Sequence, residues 1–75
     1  MSVHNKLYHL IQVREYLNST QYREAAASII AKDLVEKIQE REIEVKRTVV
    51  LDRTNLQLRS MKLPDVSYGF IRKFL

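Results

Sequence analysis

The sequence is organised around residues 18–41, which read NSTQYREAAASIIAKDLVEKIQER. The stretch contains neither glycine nor proline, and its apolar side chains recur at the spacing of one helical face. Asn18 followed by Gln21 resembles a capping box, in which each side chain accepts a hydrogen bond from the other residue's backbone N–H. We therefore predict a helix from about Thr20 to about Arg41.

A shorter helix is predicted before this one. Its apolar side chains fall close to one face, and Ser2 is a suitable N-cap residue. Asn18 and Ser19 interrupt the pattern, so the two helices are expected to pack antiparallel. The apolar residues of this first helix are Val3, Leu7, Leu10, Ile11 and Leu17.

Beyond residue 41 the hydrophobic period changes. Residues 43–51 alternate in polarity, and five of the eleven residues from 41 to 51 are β-branched, which favours strands. Residues 52–55 are turn-like, and residues 56–63 alternate again. We therefore predict a β-hairpin at about 43–63, then Pro64 and a short C-terminal helix, which together give a mainly helical α+β fold.

An all-α fold is the alternative to this α+β prediction. In it the second helix continues into a coiled coil. Val45, Val49, Leu56 and Leu63 then form a heptad-like stripe. Asp52 also falls on that stripe, which favours the hairpin.

Length and composition indicate one small domain, residues 1–75, with a helical pair at 1–41 and a basic region at 42–75. A chain of this size buries only about 60% of its unfolded surface. The sequence has no cysteine, so disulfides cannot supplement the core. We therefore expect oligomerisation or docking on a larger partner to add stability.

Charge is distributed unevenly along the chain. The formal net charge is +4, and residues 1–40 contribute five bases and five acids, which sum to zero. Residues 41–75 contribute eight bases and four acids, so they hold the whole excess. An acidic partner is therefore expected to contact the second half.

Catalysis is not expected. The chain has no cysteine, only two histidines and a single glycine, so neither a thiol nucleophile nor a glycine-rich phosphate loop can form. His4 and His9 are five residues apart, roughly 140° around a helix, so they do not converge on one metal. We predict a protein that is not an enzyme and has no metal site and no cofactor.

A membrane span is not expected either. The longest uninterrupted apolar runs, such as residues 25–27, are three residues long, far shorter than a transmembrane helix or a signal-peptide core. We interpret the chain as an intracellular protein, and the sequence does not distinguish the cytoplasm from the nucleus.

Residues 13–29 read VREYLNSTQYREAAASI, and this stretch resembles the LisH (lissencephaly-homology) motif. That motif has an aliphatic residue, Tyr-Leu, Gly-Tyr, a small residue followed by Ala, and a bulky apolar residue at fixed spacings. Gln21 stands where the motif usually has Gly, and the similarity extends over about residues 7–33. The matching residues are Val13, Tyr16, Leu17, Tyr22, Ala26 and Ile29.

The resemblance implies a non-catalytic pair of helices that dimerises as a four-helix bundle. Independently, two short helices cannot shield their own apolar stripes, whereas pairing with a second copy buries both. The alternative is that these residues pack on the rest of the same chain. The predicted interface or core residues are Leu10, Val13, Tyr16, Leu17, Tyr22, Ala26 and Ile29.

The basic half provides the second predicted contact. On a two-stranded ribbon its bases could bind a larger protein partner or, alternatively, a nucleic-acid backbone. The candidate contact residues are Lys46, Arg47, Arg53, Arg59 and Lys62. The tail is predicted either to dock in a partner's groove through Phe70, Ile71 and Phe74 or to fold back on its own core.

Overall fold

The computed structural model describes the backbone of residues 3–75 and the side chains of residues 5–75. The described chain is helical and contains no β-strand. In order, its elements are α1 (Val3–Gln12), a 3₁₀ turn (Arg14–Tyr16), α2 (Ser19–Glu40), α3 (Arg47–Ser60), α4 (Tyr68–Ile71) and a second 3₁₀ turn (Arg72–Phe74).

The predicted β-hairpin at 43–63 is wrong, because residues 47–60 form helix α3. The all-α alternative is closer to the structure. Its continuous second helix is not found, however, since the chain leaves the helix after Glu40 and enters a new one at Arg47. Polar Thr54 and Asn55 lie among the buried side chains of α3, so the apolar period that would have indicated a helix is broken.

The start of α2 confirms the predicted capping box. The Asn18 side chain accepts a hydrogen bond from the Gln21 backbone N–H at 2.8 Å, and the Gln21 side chain accepts one from the Asn18 N–H at 3.1 Å. Helix α1 ends earlier than predicted, at Gln12. Leu17 therefore lies beyond that helix, and the predicted Ser2 cap lies outside the described residues.

The ends of α2 and α3 share one backbone motif. Each helix is followed by a residue with positive φ, 57° at Glu42 and 61° at Lys62. This is a Schellman ending, which normally has glycine at that position. In this motif the residue after the positive-φ position donates its N–H to the carbonyl five residues earlier. Ile43 donates to Ile38 at 3.4 Å, and Leu63 donates to Leu58 at 2.9 Å.

Helix α2 is the centre of the fold and packs against α1, α3 and the second 3₁₀ turn. Three of its side chains, Ala26, Ala27 and Ala31, are fully buried. Because alanine side chains are small, the neighbouring elements can approach the α2 backbone closely. The other buried apolar residues are Leu7, Leu10, Tyr22, Ile30, Val35, Val50, Leu58, Val66 and Ile71.

The C-terminal segment folds back onto this core. The Asn55 side chain donates to the Val66 carbonyl at 3.2 Å and accepts from the Val66 N–H at 2.8 Å. Ser67 then caps α4 by accepting from the Phe70 N–H at 3.3 Å. Ile71 is fully buried, so the structure does not present it for docking in a partner's groove.

Phe70 and Phe74, the other two residues of the predicted docking tail, are half-buried against the core. Their rings lie 5.6 Å apart, and the Lys32 ammonium lies 6.0 Å from the Phe74 ring centroid. These contacts hold the second 3₁₀ turn against α2. None of the described helices has both the length and the apolar character needed to cross a membrane.

Candidate functional site

The predicted interface residues divide between the core and the surface. Leu10, Tyr22 and Ala26 are buried within the chain itself. Leu17 and Ile29 are partly buried against the same core. Val13 and Tyr16 are exposed, so only these two of the seven are fully available to another molecule.

Exposed apolar side chains are concentrated where α1 ends and the first 3₁₀ turn begins. Tyr8, Ile11, Val13 and Tyr16 form this group (the corner surface), and Tyr16 is 78% exposed. Sequence reasoning did not identify Tyr8, and it placed Ile11 on the core side of α1. With α1 ending at Gln12, its buried side is formed by Leu7 and Leu10.

Two charged residues lie within the corner surface. Arg14 and Glu15 line a shallow hollow together with Ile11 and Leu17. The Arg14 guanidinium also lies 5.1 Å from the centroid of the buried Tyr22 ring, an attractive cation–π geometry. This contact joins the 3₁₀ turn to the start of α2.

A second candidate site is an open groove between α2 and α3 (the α2–α3 groove). Near the loop that joins the two helices it contains a hollow of about 500 Å³. A second hollow, of about 270 Å³, continues towards Leu7 of α1, and the two share Leu34 and Arg53. The apolar lining residues are Leu7, Ile30, Leu34, Ile38, Ile43, Val49 and Leu56.

Helical spacing explains how the groove is assembled. Leu34 and Ile38 are one turn apart on α2, and Val49 and Leu56 are two turns apart on α3, so each pair shares a helix face. The Schellman ending then places Ile43 in the loop at one end of the groove. Ile43 is 59% exposed and Leu56 is 66% exposed.

The rim of the groove is basic. Lys37, Arg41, Lys46 and Arg53 line it, against two acids, Glu44 in the larger hollow and Asp33 in the smaller one. Lys37 pairs with Asp33 at 2.9 Å on the α2 face. The other three bases form no ion pair or hydrogen bond through their side chains among the described residues.

The five bases predicted to contact an acidic partner do not form one patch. Lys46 and Arg53 line the groove, whereas Arg59 and Arg47 are held elsewhere. Arg59 pairs with Asp65 through bonds of 2.6 and 3.0 Å, and Arg47 donates to the Tyr68 hydroxyl at 2.9 Å. Lys62 occupies the positive-φ position after α3.

The Arg59–Asp65 pair also changes how both groups titrate. Hydrogen bonding to the Arg59 guanidinium, with its charge, lowers the pKa of Asp65, and desolvation opposes this effect only in part. The same hydrogen bond, with the Asp65 charge, raises the pKa of Arg59. At neutral pH the two groups therefore bond each other, which makes Arg59 a poorer ligand for an outside anion.

Lys37 and Arg41 are groove residues that sequence reasoning missed. Neither was among the five bases predicted to contact a partner, but both lie at the end of α2 and line the larger hollow with residues from the start of α3. The signal that could have revealed them is their spacing of four residues on the face that also carries Leu34 and Ile38.

Neither a metal site nor a similarity to known proteins indicates a function for this chain. Among the side chains of residues 5–75, no group of three His, Asp or Glu residues is placed to hold a metal ion. No family model, curated protein or solved structure matches this chain. Function is therefore inferred from the corner surface and the α2–α3 groove.

Proposed function

We propose that this protein is a non-catalytic interaction module that forms a homodimer through the corner surface. The observation that carries the proposal is the exposure of four large apolar side chains within nine residues of one another, Tyr8, Ile11, Val13 and Tyr16. Burial of such a side chain contributes about 1.5–3 kcal/mol. The LisH-like pattern supports the same region, since Val13 and Tyr16 belong to it.

A second copy is favoured as the partner because the corner surface is self-complementary in charge. In a two-fold symmetric interface, each residue of a contact pair is used twice, once from each copy. Arg14 of one copy can therefore pair with Glu15 of the other, and Glu15 of the first copy with Arg14 of the second. Residues 1–40 also sum to zero charge, so this half adds no net repulsion between copies.

Nucleic-acid binding through a basic ribbon is not retained. That alternative required the hairpin at 42–63, and the structure has helix α3 there. Arg47 and Arg59, two of the bases that were to contact phosphate, bond to Tyr68 and Asp65 instead.

Light scattering across a concentration series tests the proposal. The expected result is a mass that rises from monomer to dimer, and Tyr16→Asp should weaken association by about tenfold or more, because a charge would be buried in an apolar contact. Ile43→Asp is the control, since it also places a carboxylate at an exposed apolar residue, but outside the corner surface. A folded protein that stays monomeric at high micromolar concentration would refute the proposal.

Charge reversal tests the symmetry argument separately. Glu15→Arg should weaken the dimer, because it places like charges opposite each other, and the double change Arg14→Glu with Glu15→Arg should recover association relative to that single variant. If the double variant is no better than the single one, the two residues do not pair across the interface.

A further inference from the structure

The geometry points to a second binding site, in which the α2–α3 groove holds an acidic segment of another protein that carries large apolar side chains. This surface is separate from the corner surface and adds a partner class to the proposed dimer. The inference depends on two features that occur together in the groove, its exposed apolar lining and its unpaired bases.

The apolar lining indicates that the ligand buries hydrocarbon. Ile43 and Leu56 are more exposed than most large apolar residues of this chain, and they lie at different positions along one groove. The two hollows, of about 500 and 270 Å³, have room for a large side chain each. A ligand that presents two apolar side chains from one edge therefore fits both hollows at once.

The rim sets the ligand's charge. Arg41, Lys46 and Arg53 have no acidic partner among the described residues, and Glu44 is the only acid that lines the larger hollow. Bases that are left unpaired around an apolar floor attract carboxylates and repel a basic ligand. The apolar residues of the partner segment are therefore expected to be flanked by Asp or Glu.

An acidic peptide fits this combination better than a nucleic acid does. A phosphate backbone would pair with the bases but would leave Ile43 and Leu56 uncovered, since sequence-independent binding uses charge almost alone. Arg47 and Arg59 also do not extend the site, because both bond within the chain.

The test uses a fluorescently labelled peptide in which a Phe and a Leu, one helical turn apart, are surrounded by Asp and Glu. Fluorescence anisotropy should show binding that weakens as salt is added. Two comparison probes are the same peptide with Ser in place of both apolar residues and a single-stranded oligouridylate of matched charge. Both are expected to bind more weakly than the apolar acidic peptide.

Paired variants locate the site. Arg53→Ala should weaken peptide binding about tenfold, while Arg59→Ala, which removes the same charge outside the groove, should leave it within about twofold. Ile43→Ser should weaken binding, whereas Leu75→Ser, a change at an exposed apolar residue outside the groove, should not. All four positions are exposed, and thermal unfolding verifies that each variant is folded.

Three results would overturn the inference. They are an absence of peptide binding at low salt, equal losses for Arg53→Ala and Arg59→Ala, and equal affinity for the apolar peptide and either comparison probe. Light scattering reports self-association through the corner surface independently, so failure of this site and failure of the dimer proposal are distinguishable.

Discussion

Replacement of Asn55 by alanine should destabilise the fold more than any other single polar truncation in α3. The Asn55 amide makes two hydrogen bonds to the backbone of Val66, at 2.8 and 3.2 Å, and both residues are buried. Each bond contributes about 1 kcal/mol net, and each buried group that loses its partner costs about 1–3 kcal/mol. Because Val66 would retain an unpaired N–H and an unpaired carbonyl, we expect a loss of about 2–4 kcal/mol.

The assay is thermal or urea unfolding followed by far-ultraviolet circular dichroism. For a domain of this size, each kcal/mol corresponds to about 4–8 °C in Tm, so a fall of at least about 8 °C is expected. Gln57→Ala is the control, since it truncates an exposed amide two residues away on the same helix. Hydrogen exchange at the Val66 amide should also accelerate. A loss below about 0.5 kcal/mol, or one equal to that of Gln57→Ala, would refute the argument that these bonds anchor the C-terminal segment.

Three further predictions follow from single features. Thr54 is fully buried and its hydroxyl has no hydrogen-bond partner, so Thr54→Val should raise the free energy of unfolding by about 1 kcal/mol; a measured loss would indicate that the hydroxyl is satisfied. Glu42 has φ of 57°, so Glu42→Gly should stabilise the end of α2 by about 1 kcal/mol in denaturant unfolding, and a destabilised variant would contradict the left-handed conformation. Arg59 lowers the pKa of Asp65, so their pair adds stability above the ordinary aspartate pKa of about 3.9, and this stability is lost as the pH falls through the lower pKa of the folded state. Asp65→Asn should therefore be slightly less stable than the parent protein at neutral pH and equal to it in strong acid; a difference that persists there would exclude the ion pair as its cause.

The helix prediction succeeded where local chemistry and tertiary packing agreed. In α2 the capping box, the absence of glycine and the apolar face all indicate the same helix, and the structure has it within a residue at each end. The strand prediction failed because the sequence alternates between apolar and polar residues in the way that strands do. The β-branched residues at 43–50 contribute to this pattern, and so do two polar residues, Thr54 and Asn55, that the helix buries. Thr54 is buried, and Asn55 is buried to bond Val66, which no local pattern reveals, since the partner segment lies 11 residues further along the chain.

The helix ends were hidden for a related reason. A glycine after α2 would have marked its end, but Glu42 and Lys62 adopt the left-handed conformation despite the strain that their Cβ atoms introduce. The remaining signal is the spacing of apolar residues five apart, Ile38 with Ile43 and Leu58 with Leu63, which accompanies a Schellman ending. That spacing also fits a strand followed by a turn, so by itself it does not distinguish the end of a helix from the end of a strand.

The corner surface could be predicted only in part, since exposure there depends on where α1 ends. Val13 and Tyr16 match the motif pattern, and the first helix is predicted to reach Leu17, but α1 ends at Gln12. The turn that follows moves both side chains off the buried face, while Leu10 and Tyr22 remain in the core. The sequence predicts all four residues as interface or core, and the position of the helix end decides which of them are buried.

The fold also redistributes the charge that the sequence places in residues 41–75. Arg59 is neutralised by Asp65, and Arg47 bonds to the Tyr68 hydroxyl, so part of the basic excess is used within the chain. Arg41 ends α2 and Lys46 precedes α3, and the loop between them brings both bases to the groove with Arg53. The field that a partner meets is therefore set by the junction of α2 and α3 and not by the basic half as a whole. For this reason the unpaired bases beside exposed Ile43 and Leu56, and not the formal charge of +4, set the charge of the ligand that we propose for the groove.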